Sequence, residues 1–135
     1  MEKHYSIGTF SKMTNVTPRT LHYYDEIGLL RAKRTEAGHR YYTKDDLITL
    51  QRIVSLKFLG YSLDTIQELL AKEKWDTAEY FTFQRKEMIK KRDQLNHSIR
   101  LLEHAQKLIE GKGELDPDIF FLLINSVQLE EEHKK

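Results

Sequence analysis

Apolar and polar residues follow each other along this 135-residue chain mostly with the 3.6-residue period of α-helices. Ser6 is placed to cap a first helix over 7–13, and Thr17-Pro18 opens a second helix that stops at Gly28. Thr14-Asn15 lies between them, and Asn tolerates the left-handed backbone that a tight turn often needs. Two short helices joined in this way predict a helix-turn-helix unit.

A small β-hairpin is predicted after the second helix. The segment 29–42 has a polar tip followed by Gly38, and its end, Arg40-Tyr41-Tyr42, favours a strand. We therefore expect a wing beside the helix-turn-helix.

Two further helices follow the predicted wing. Thr43-Lys44-Asp45-Asp46 resembles a capping box with Asp in place of Glu or Gln. The helix that follows ends at Gly60, and Ser62 is placed to cap the next one. The apolar residues expected to form the core stripe of the first of these helices are Leu47, Leu50, Val54 and Phe58, widened by Ile53 and Leu56.

One long helix is predicted over 76–110. Its main apolar row recurs every seven residues and consists of Phe81, Met88, Leu95, Leu102 and Ile109. Ile99 falls on the complementary row, which Arg85, Arg92 and Gln106 otherwise interrupt. A heptad repeat of this length predicts helix–helix pairing, most simply in a homodimer.

The last part of the chain is a linker over 111–117 and a short helix. Asp118 is placed to cap this helix, and residues 119–127 are apolar nearly all round, so we expect them to be buried against something. The helical pattern persists at the last residue, and we expect the full-length protein to continue. The predicted domains are 1–74 for the winged helix-turn-helix, 75–110 for the dimerisation helix and 111–135 for the linker and last helix.

Composition and charge restrict the classes of function that the chain can have. Residues 1–60 carry ten Lys/Arg and six Asp/Glu, a net +4, whereas 61–135 carry twelve and fifteen, a net −3. A basic half joined to an acidic half suggests that the first half faces nucleic acid. The chain has no cysteine, which excludes disulfides, thiolate metal sites and cysteine nucleophiles. It shows no signal peptide and no apolar run long enough to cross a bilayer, so we expect a cytoplasmic protein without membrane contacts.

Four motifs in register resemble the MerR family of transcriptional regulators. They are Tyr5-Ser6-Ile7-Gly8, the stretch from Thr17 to Leu30 around His22-Tyr23-Tyr24-Asp25, Gly38-His39-Arg40-Tyr41-Tyr42, and Leu56-Lys57-Phe58-Leu59-Gly60-Tyr61-Ser62-Leu63. The resemblance covers residues 5–70, and the tail beyond 112 is similar to the thiostrepton-induced branch, whose members add a drug-binding domain. Asn15 stands where Gly is common in the family.

The resemblance implies a mainly α-helical protein that binds double-stranded promoter DNA as a dimer joined by an antiparallel coiled coil. Many family members activate RNA polymerase by bending and untwisting the promoter, and many bind a small-molecule effector beyond the coiled coil. The family positions that contact DNA correspond here to Thr17, Arg19, His22, Tyr23, Arg40, Tyr42 and Gly60-Tyr61.

Residue chemistry adds detail to these expectations. Arg19 lies near the start of the recognition helix, where it can contact either a guanine edge or a phosphate. Tyr23 is expected at the DNA and Tyr24 in the core with Leu21 and Ile27, because adjacent helical residues point about 100° apart. Arg40 and Tyr42 share one face of the strand; that face either meets DNA or packs on its own domain. Lys33 and Arg34 are expected to contact phosphates.

Two further groups of side chains are explained more simply by the fold than by a binding site. His97 and His104 lie on one helical face, but their spacing suits a helix surface better than a metal site. Trp75, Tyr80, Phe81 and Phe83 are expected to pack the head onto the long helix; a drug pocket is the alternative. No arrangement of a nucleophile and a base, phosphate-binding glycine loop or metal-ligand cluster is present, so no cofactor and no enzymatic activity are expected. The alternatives to a DNA-distorting regulator are a drug- or dye-binding module and a simple repressor.

Overall fold

The computed structural model describes residues 3–111 and 113–128. It is mainly α-helical, with one small sheet and one helix far longer than the rest. In chain order the elements are β1 (Tyr5–Ser6), α1 (Ile7–Thr14), α2 (Pro18–Glu26), β2 (Lys33–Arg34), β3 (Arg40–Tyr42), α3 (Lys44–Phe58), α4 (Leu63–Lys72), α5 (Thr77–Glu110) and α6 (Pro117–Ser126).

The caps predicted at Ser6, Thr17 and Ser62 are present, but α6 is capped by Asp116 and not by Asp118, which lies inside its first turn. The Thr17 hydroxyl accepts a hydrogen bond from the Thr20 N–H at 3.1 Å, and Pro18 occupies the first turn of α2. Asn15 adopts a left-handed conformation with φ 59°, so the turn between α1 and α2 forms without Gly. The winged helix-turn-helix fold predicted from the sequence is confirmed.

The sheet has three strands in the order β1–β3–β2, all antiparallel to their neighbours. The wing is the hairpin of β2 and β3, and Gly38 allows its tip with φ 87°. The sequence did not predict β1, which pairs Tyr5 with Tyr42 and ties the start of the chain to the wing.

The core of the head, which we define as residues 3–72, lies between the sheet, α1, α2, α3 and α4. Its buried residues are Phe10, Leu21, Tyr24, Leu29, Leu30, Tyr42, Leu50, Ile53, Leu56 and Ile66. The stripe predicted for α3 is therefore only partly right. Leu47, Val54 and Phe58 are exposed, because α3 turns Leu50, Ile53 and Leu56 towards the core instead.

The helix α5 leaves the head at Trp75 and continues well beyond it. Its first turns pack on α3 and α4, where Tyr80 is buried with its ring under the Arg52 guanidinium, 4.0 Å from the ring centroid. The buried Gln84 exchanges two amide hydrogen bonds with Gln51 of α3, at 2.7 and 3.2 Å. These contacts fix the direction of α5 relative to the head.

The helix α6 folds back onto α5. Ser98 of α5 donates to the Ser126 hydroxyl at 2.9 Å, and the Gln94 side chain donates to the Ser126 carbonyl at 3.0 Å. The expectation that 119–127 is buried is met only on that side, since Phe120, Phe121, Leu122, Ile124 and Val127 are exposed. The predicted helical pattern at 129–135 lies outside the described residues.

Candidate nucleic-acid interface

The recognition helix α2 separates core from surface as its sequence predicts. Leu21 and Tyr24 are buried, whereas the Tyr23 side chain is 48% exposed beside a Tyr24 that is 3% exposed. Arg19 is also exposed and His22 is half-buried. The outer face of α2 therefore presents a guanidinium, an imidazole and a phenol, all of which can donate hydrogen bonds to a base edge or a phosphate.

The wing brings a second basic group next to α2. Lys33 and Arg34 are exposed on β2, and Arg40 is half-buried on β3. The Lys33 ammonium lies 2.9 Å from the carboxylate of Asp46, at the start of α3. Lys33 and Arg34 thus remain at the surface while the wing is attached to the head by ion pairs.

Asp25 of α2 is a residue of this surface that the sequence analysis did not single out. Its carboxylate accepts a hydrogen bond from Arg40 Nε at 3.1 Å and another from the Ala32 N–H at 3.3 Å, and Arg34 lies 3.6 Å away. Burial opposes its ionisation, but the hydrogen bonds from Arg40 and Ala32 and the charges of Arg40 and Arg34 outweigh burial and lower its pKa. Because the pKa of Asp25 is lower in the folded protein than in the unfolded chain, its ionised form stabilises the fold at pH values above the ordinary pKa of Asp. This stabilisation is lost as the pH falls through the lowered pKa.

Tyr42 lies in the core, which corrects the expectation that it contacts DNA. Its ring stacks on Phe10 with centroids 4.4 Å apart, and the side chain is fully buried. Arg40 and Tyr42 do point to one side of β3, but it is the inner side: Arg40 reaches Asp25 and Tyr42 reaches α1. The outward residue is Tyr41, which stacks on His4 at 4.2 Å.

Tyr42→Phe provides a direct check of this correction. The Tyr42 hydroxyl is buried and has no hydrogen-bond partner among the described residues, and burial raises the pKa of this phenol, so it stays neutral. Removing an unsatisfied buried hydroxyl should leave the free energy of unfolding unchanged or raise it by about 1 kcal/mol. Urea denaturation measures this, and affinity for duplex DNA should not change.

Tyr61→Phe is the matched control, because it deletes the same atom at a satisfied site. The Tyr61 hydroxyl donates to a Glu87 carboxylate oxygen of α5 at 2.6 Å. Its loss should lower the free energy of unfolding by roughly 1 kcal/mol. Weaker DNA binding by Tyr42→Phe would contradict the correction. A larger loss of stability from Tyr42→Phe than from Tyr61→Phe would show instead that the Tyr42 hydroxyl has a hydrogen-bond partner.

Tyr61 itself lies where the head meets α5. It follows Gly60, whose φ of 99° turns the chain between α3 and α4, and it is half-buried. Its predicted role at DNA remains a prediction, and the structure adds the contact with Glu87.

The predicted pairing row of α5 forms one exposed apolar strip. Its members are Phe81, Met88, Leu95, Ile99, Leu102 and Ile109, each between 37% and 58% exposed. The exposed residues Leu47, Val54 and Phe58 of α3 form a second strip, and a cavity of about 160 Å³ joins the two strips between Leu47 and Phe81. We call the two together the apolar seam. Exposed apolar area of this extent is typical of an interaction surface.

The aromatic residues after α4 form the predicted junction. Trp75 packs against Tyr80 and Phe83, with ring centroids 5.3 and 5.1 Å apart, whereas Phe81 belongs to the apolar seam. A shallow cavity of about 310 Å³ lies beside Trp75 and Phe83. Over residues 3–111 and 113–128, no group of three His, Cys, Asp or Glu side chains is arranged to hold a metal ion. In the same residues, no helix is long and apolar enough to span a membrane.

Comparison with known proteins finds similarity to one family of regulatory proteins. Residues 5–73 match the family described as MerR HTH family regulatory protein. The chain is 29% identical to the HTH-type transcriptional activator mta of Bacillus subtilis over 128 residues, which is 94% of this chain and 50% of that protein. It is 48% identical to the HTH-type transcriptional activator TipA of Streptomyces coelicolor over 67 residues, 49% of this chain and 26% of that protein. The chain thus spans at most about half the length of these relatives.

Two solved structures of transcriptional regulators are similar to the chain in fold. The HTH-type transcriptional regulator SkgA from Caulobacter crescentus has a TM-score of 0.72 at 27% identity, covering 90% of this chain and 88% of that one. HiNmlR, a MerR family regulator lacking the sensor domain and bound to promoter DNA, has a TM-score of 0.62 at 25% identity, covering 81% and 92%.

Proposed function

Because the chain belongs to the MerR family of helix-turn-helix regulatory proteins, we propose that it binds double-stranded promoter DNA as a homodimer and controls transcription in the cytoplasm. The family consists of transcriptional regulators, which confirms the expectation that the chain is not an enzyme. The observation that carries the proposal is the outer face of α2, where Arg19 and Tyr23 are exposed beside a basic wing.

The two elements of the head have different tasks in this proposal. The N-terminal half of α2 enters a major groove, where Thr17, Arg19, His22 and Tyr23 meet base edges and nearby phosphates. Lys33, Arg34 and Arg40 of the wing meet the flanking backbone, and their contribution weakens as salt rises. The bound promoter DNA of HiNmlR supports this assignment by similarity.

The apolar seam supports the homodimer. Two copies of α5 that pair antiparallel through the seam bury the exposed row from Phe81 to Ile109 of each copy. The row is centred on Leu95, so antiparallel pairing brings Phe81 of one copy near Ile109 of its partner. The exposed side of the partner's α6 then lies close to the α3 part of the seam, and the apolar residues left uncovered in one chain can cover each other in two.

A rigid dimer explains how binding can act on transcription. At ~1.5 Å per residue, the 34 residues of α5 span about 51 Å, and their contacts with α3 hold each head in a fixed direction. Two heads of fixed separation impose their spacing on the duplex, and the cost of bending, of order 1–6 kcal/mol, is offset by the DNA contacts. We propose that this distortion adjusts the promoter for RNA polymerase, under control of a small-molecule effector bound beyond α6.

DNA binding is tested first on the duplex immediately upstream of the protein's own gene. Affinity for it and for a scrambled duplex is measured at two salt concentrations, followed by footprinting. Protection of a site with two-fold symmetry that weakens with salt is the expected result. Its position relative to the promoter distinguishes activation from simple repression. Failure to bind any duplex at low salt would refute the proposal.

A drug- or dye-binding module is the second candidate, favoured by the cavity beside Trp75 and by the exposed apolar residues of α6. A hydrophobic cationic dye that binds tightly but changes neither DNA affinity nor transcription would support that candidate instead.

A further inference from the structure

Asp25 is an acidic side chain on the surface that we assign to DNA. It lies in the last turn of α2, where the helix dipole makes a carboxylate unfavourable, and it lies among basic residues that attract phosphates. Neither the stability of α2 nor attraction to DNA therefore accounts for an acid at this position. Its contacts give another reason.

One carboxylate joins α2 to three segments of the following chain. Its Oδ1 atom accepts from the Ala32 N–H, immediately before β2; its Oδ2 atom accepts from Arg40 Nε on β3; and an Arg34 guanidinium nitrogen on β2 lies 3.6 Å from Oδ2. Both strands of the wing are thus attached to the recognition helix through the same group.

The attached arginines remain accessible to a ligand. The side chains of Arg34 and Arg40 are 50% and 28% exposed, whereas that of Asp25 is only 14% exposed. Arg40 donates to Asp25 through Nε, which is the guanidinium nitrogen nearest the backbone. A carboxylate beneath the wing can therefore hold the arginines in place while their outer surfaces face a phosphate backbone.

We propose that Asp25 is a positioning residue for DNA binding, which fixes the wing arginines relative to α2 so that helix and wing meet the duplex together. This inference rests on the proposed function. It predicts that the negative charge of Asp25 increases DNA affinity, although an acid near a phosphate backbone ordinarily lowers it.

Comparing the DNA affinities of Asp25→Asn and Glu26→Gln shows whether the charge of Asp25 raises or lowers affinity. Glu26 is the next residue on α2 and is exposed, so its substitution removes the same charge close to the same place. Glu26→Gln should bind specific DNA as tightly as the unchanged protein or up to about threefold more tightly. Asp25→Asn should bind about tenfold more weakly, and its salt slope should fall by about 1 for each phosphate that the wing no longer binds.

Asp25→Glu guards against a variant that fails to fold. It keeps the charge and moves the carboxylate by one methylene, so weaker DNA binding at unchanged net charge is expected. Cooperative thermal melting identifies which variants are folded. If Asp25→Asn gains affinity as Glu26→Gln does, Asp25 is only a repulsive charge and the inference is wrong. The inference is also wrong if Asp25→Asn and Asp25→Glu both bind like the unchanged protein.

The outcome separates this inference from the proposed function. If the unchanged protein binds no duplex, the proposed function fails. If the unchanged protein binds specifically and the Asp25 variants keep its affinity and salt slope, only the positioning role fails.

Discussion

Replacing Leu95 with aspartate is expected to convert the proposed homodimer into monomers and to abolish tight binding to a two-fold DNA site. Leu95 is 52% exposed in the single chain and lies near the middle of α5. In a symmetric antiparallel pair, the middle residues of both helices meet, so the two new carboxylates would be buried close to each other. An uncompensated buried charge costs about 3–5 kcal/mol. Sedimentation velocity at micromolar concentration measures the change.

His97→Asp is the control for this prediction. His97 is exposed and lies on the opposite side of α5 from Leu95, since two helical residues correspond to about 200°. It introduces the same side chain without entering the apolar seam, and the dimer should persist. A dimer that survives Leu95→Asp would show that α5 pairs through another face.

Arg19→Ala is expected to reduce specific DNA binding by roughly 1–3 kcal/mol without affecting the fold. Arg19 is the second residue of α2 and is exposed, so its side chain supports no core contact and can reach the groove. Titration of specific and scrambled duplexes measures the loss. If Arg19 reads a base, the loss is confined to the specific duplex; if it binds a phosphate, both affinities fall and the salt slope decreases by about 1.

Arg100→Ala controls for the removed charge. Arg100 is exposed on the distal half of α5, so its removal changes the net charge equally but outside α2 and the wing, which we assign to DNA. Its DNA affinity should remain within about twofold of the unchanged protein, because charges beyond a Debye length of about 8 Å are largely screened. Equal affinities of the Arg19 and Arg100 variants would remove Arg19 from the interface.

Local chemistry made much of the head predictable from sequence. The caps at Ser6 and Thr17, the turn at Asn15 and the hairpin near Gly38 depend on residues close in sequence, and each is present. These features specify the order and type of the elements. They do not specify which face of an element is inside.

The error at Tyr42 concerns that second question. Strand alternation correctly grouped Arg40 with Tyr42, but only the packing of β3 against α1 and α2 shows that their common face is the inner one. The two-residue β1 has no periodicity to detect, and Asp25 bonds to groups seven to fifteen residues away, beyond any local pattern.

The apolar stripe of α3 also shows that the sequence does not specify which residues face the core. The six apolar residues of the stripe predicted for α3 exceed what one core can bury, and the sequence cannot state which of them belong to it. The structure assigns Leu50, Ile53 and Leu56 to the core and leaves the others on the apolar seam. An apolar stripe wider than one core can cover is therefore itself a signal of a second interface.

The position of Trp75 has a spectroscopic consequence. It is the only tryptophan of the chain, and its indole packs on Tyr80 and Phe83 where the head meets α5. Selectively excited fluorescence therefore reports on that junction, whereas circular dichroism is dominated by the long helix. The two signals report on different parts of the same molecule. A change in emission that precedes the loss of ellipticity indicates that the head has detached from α5 while the helix is still folded.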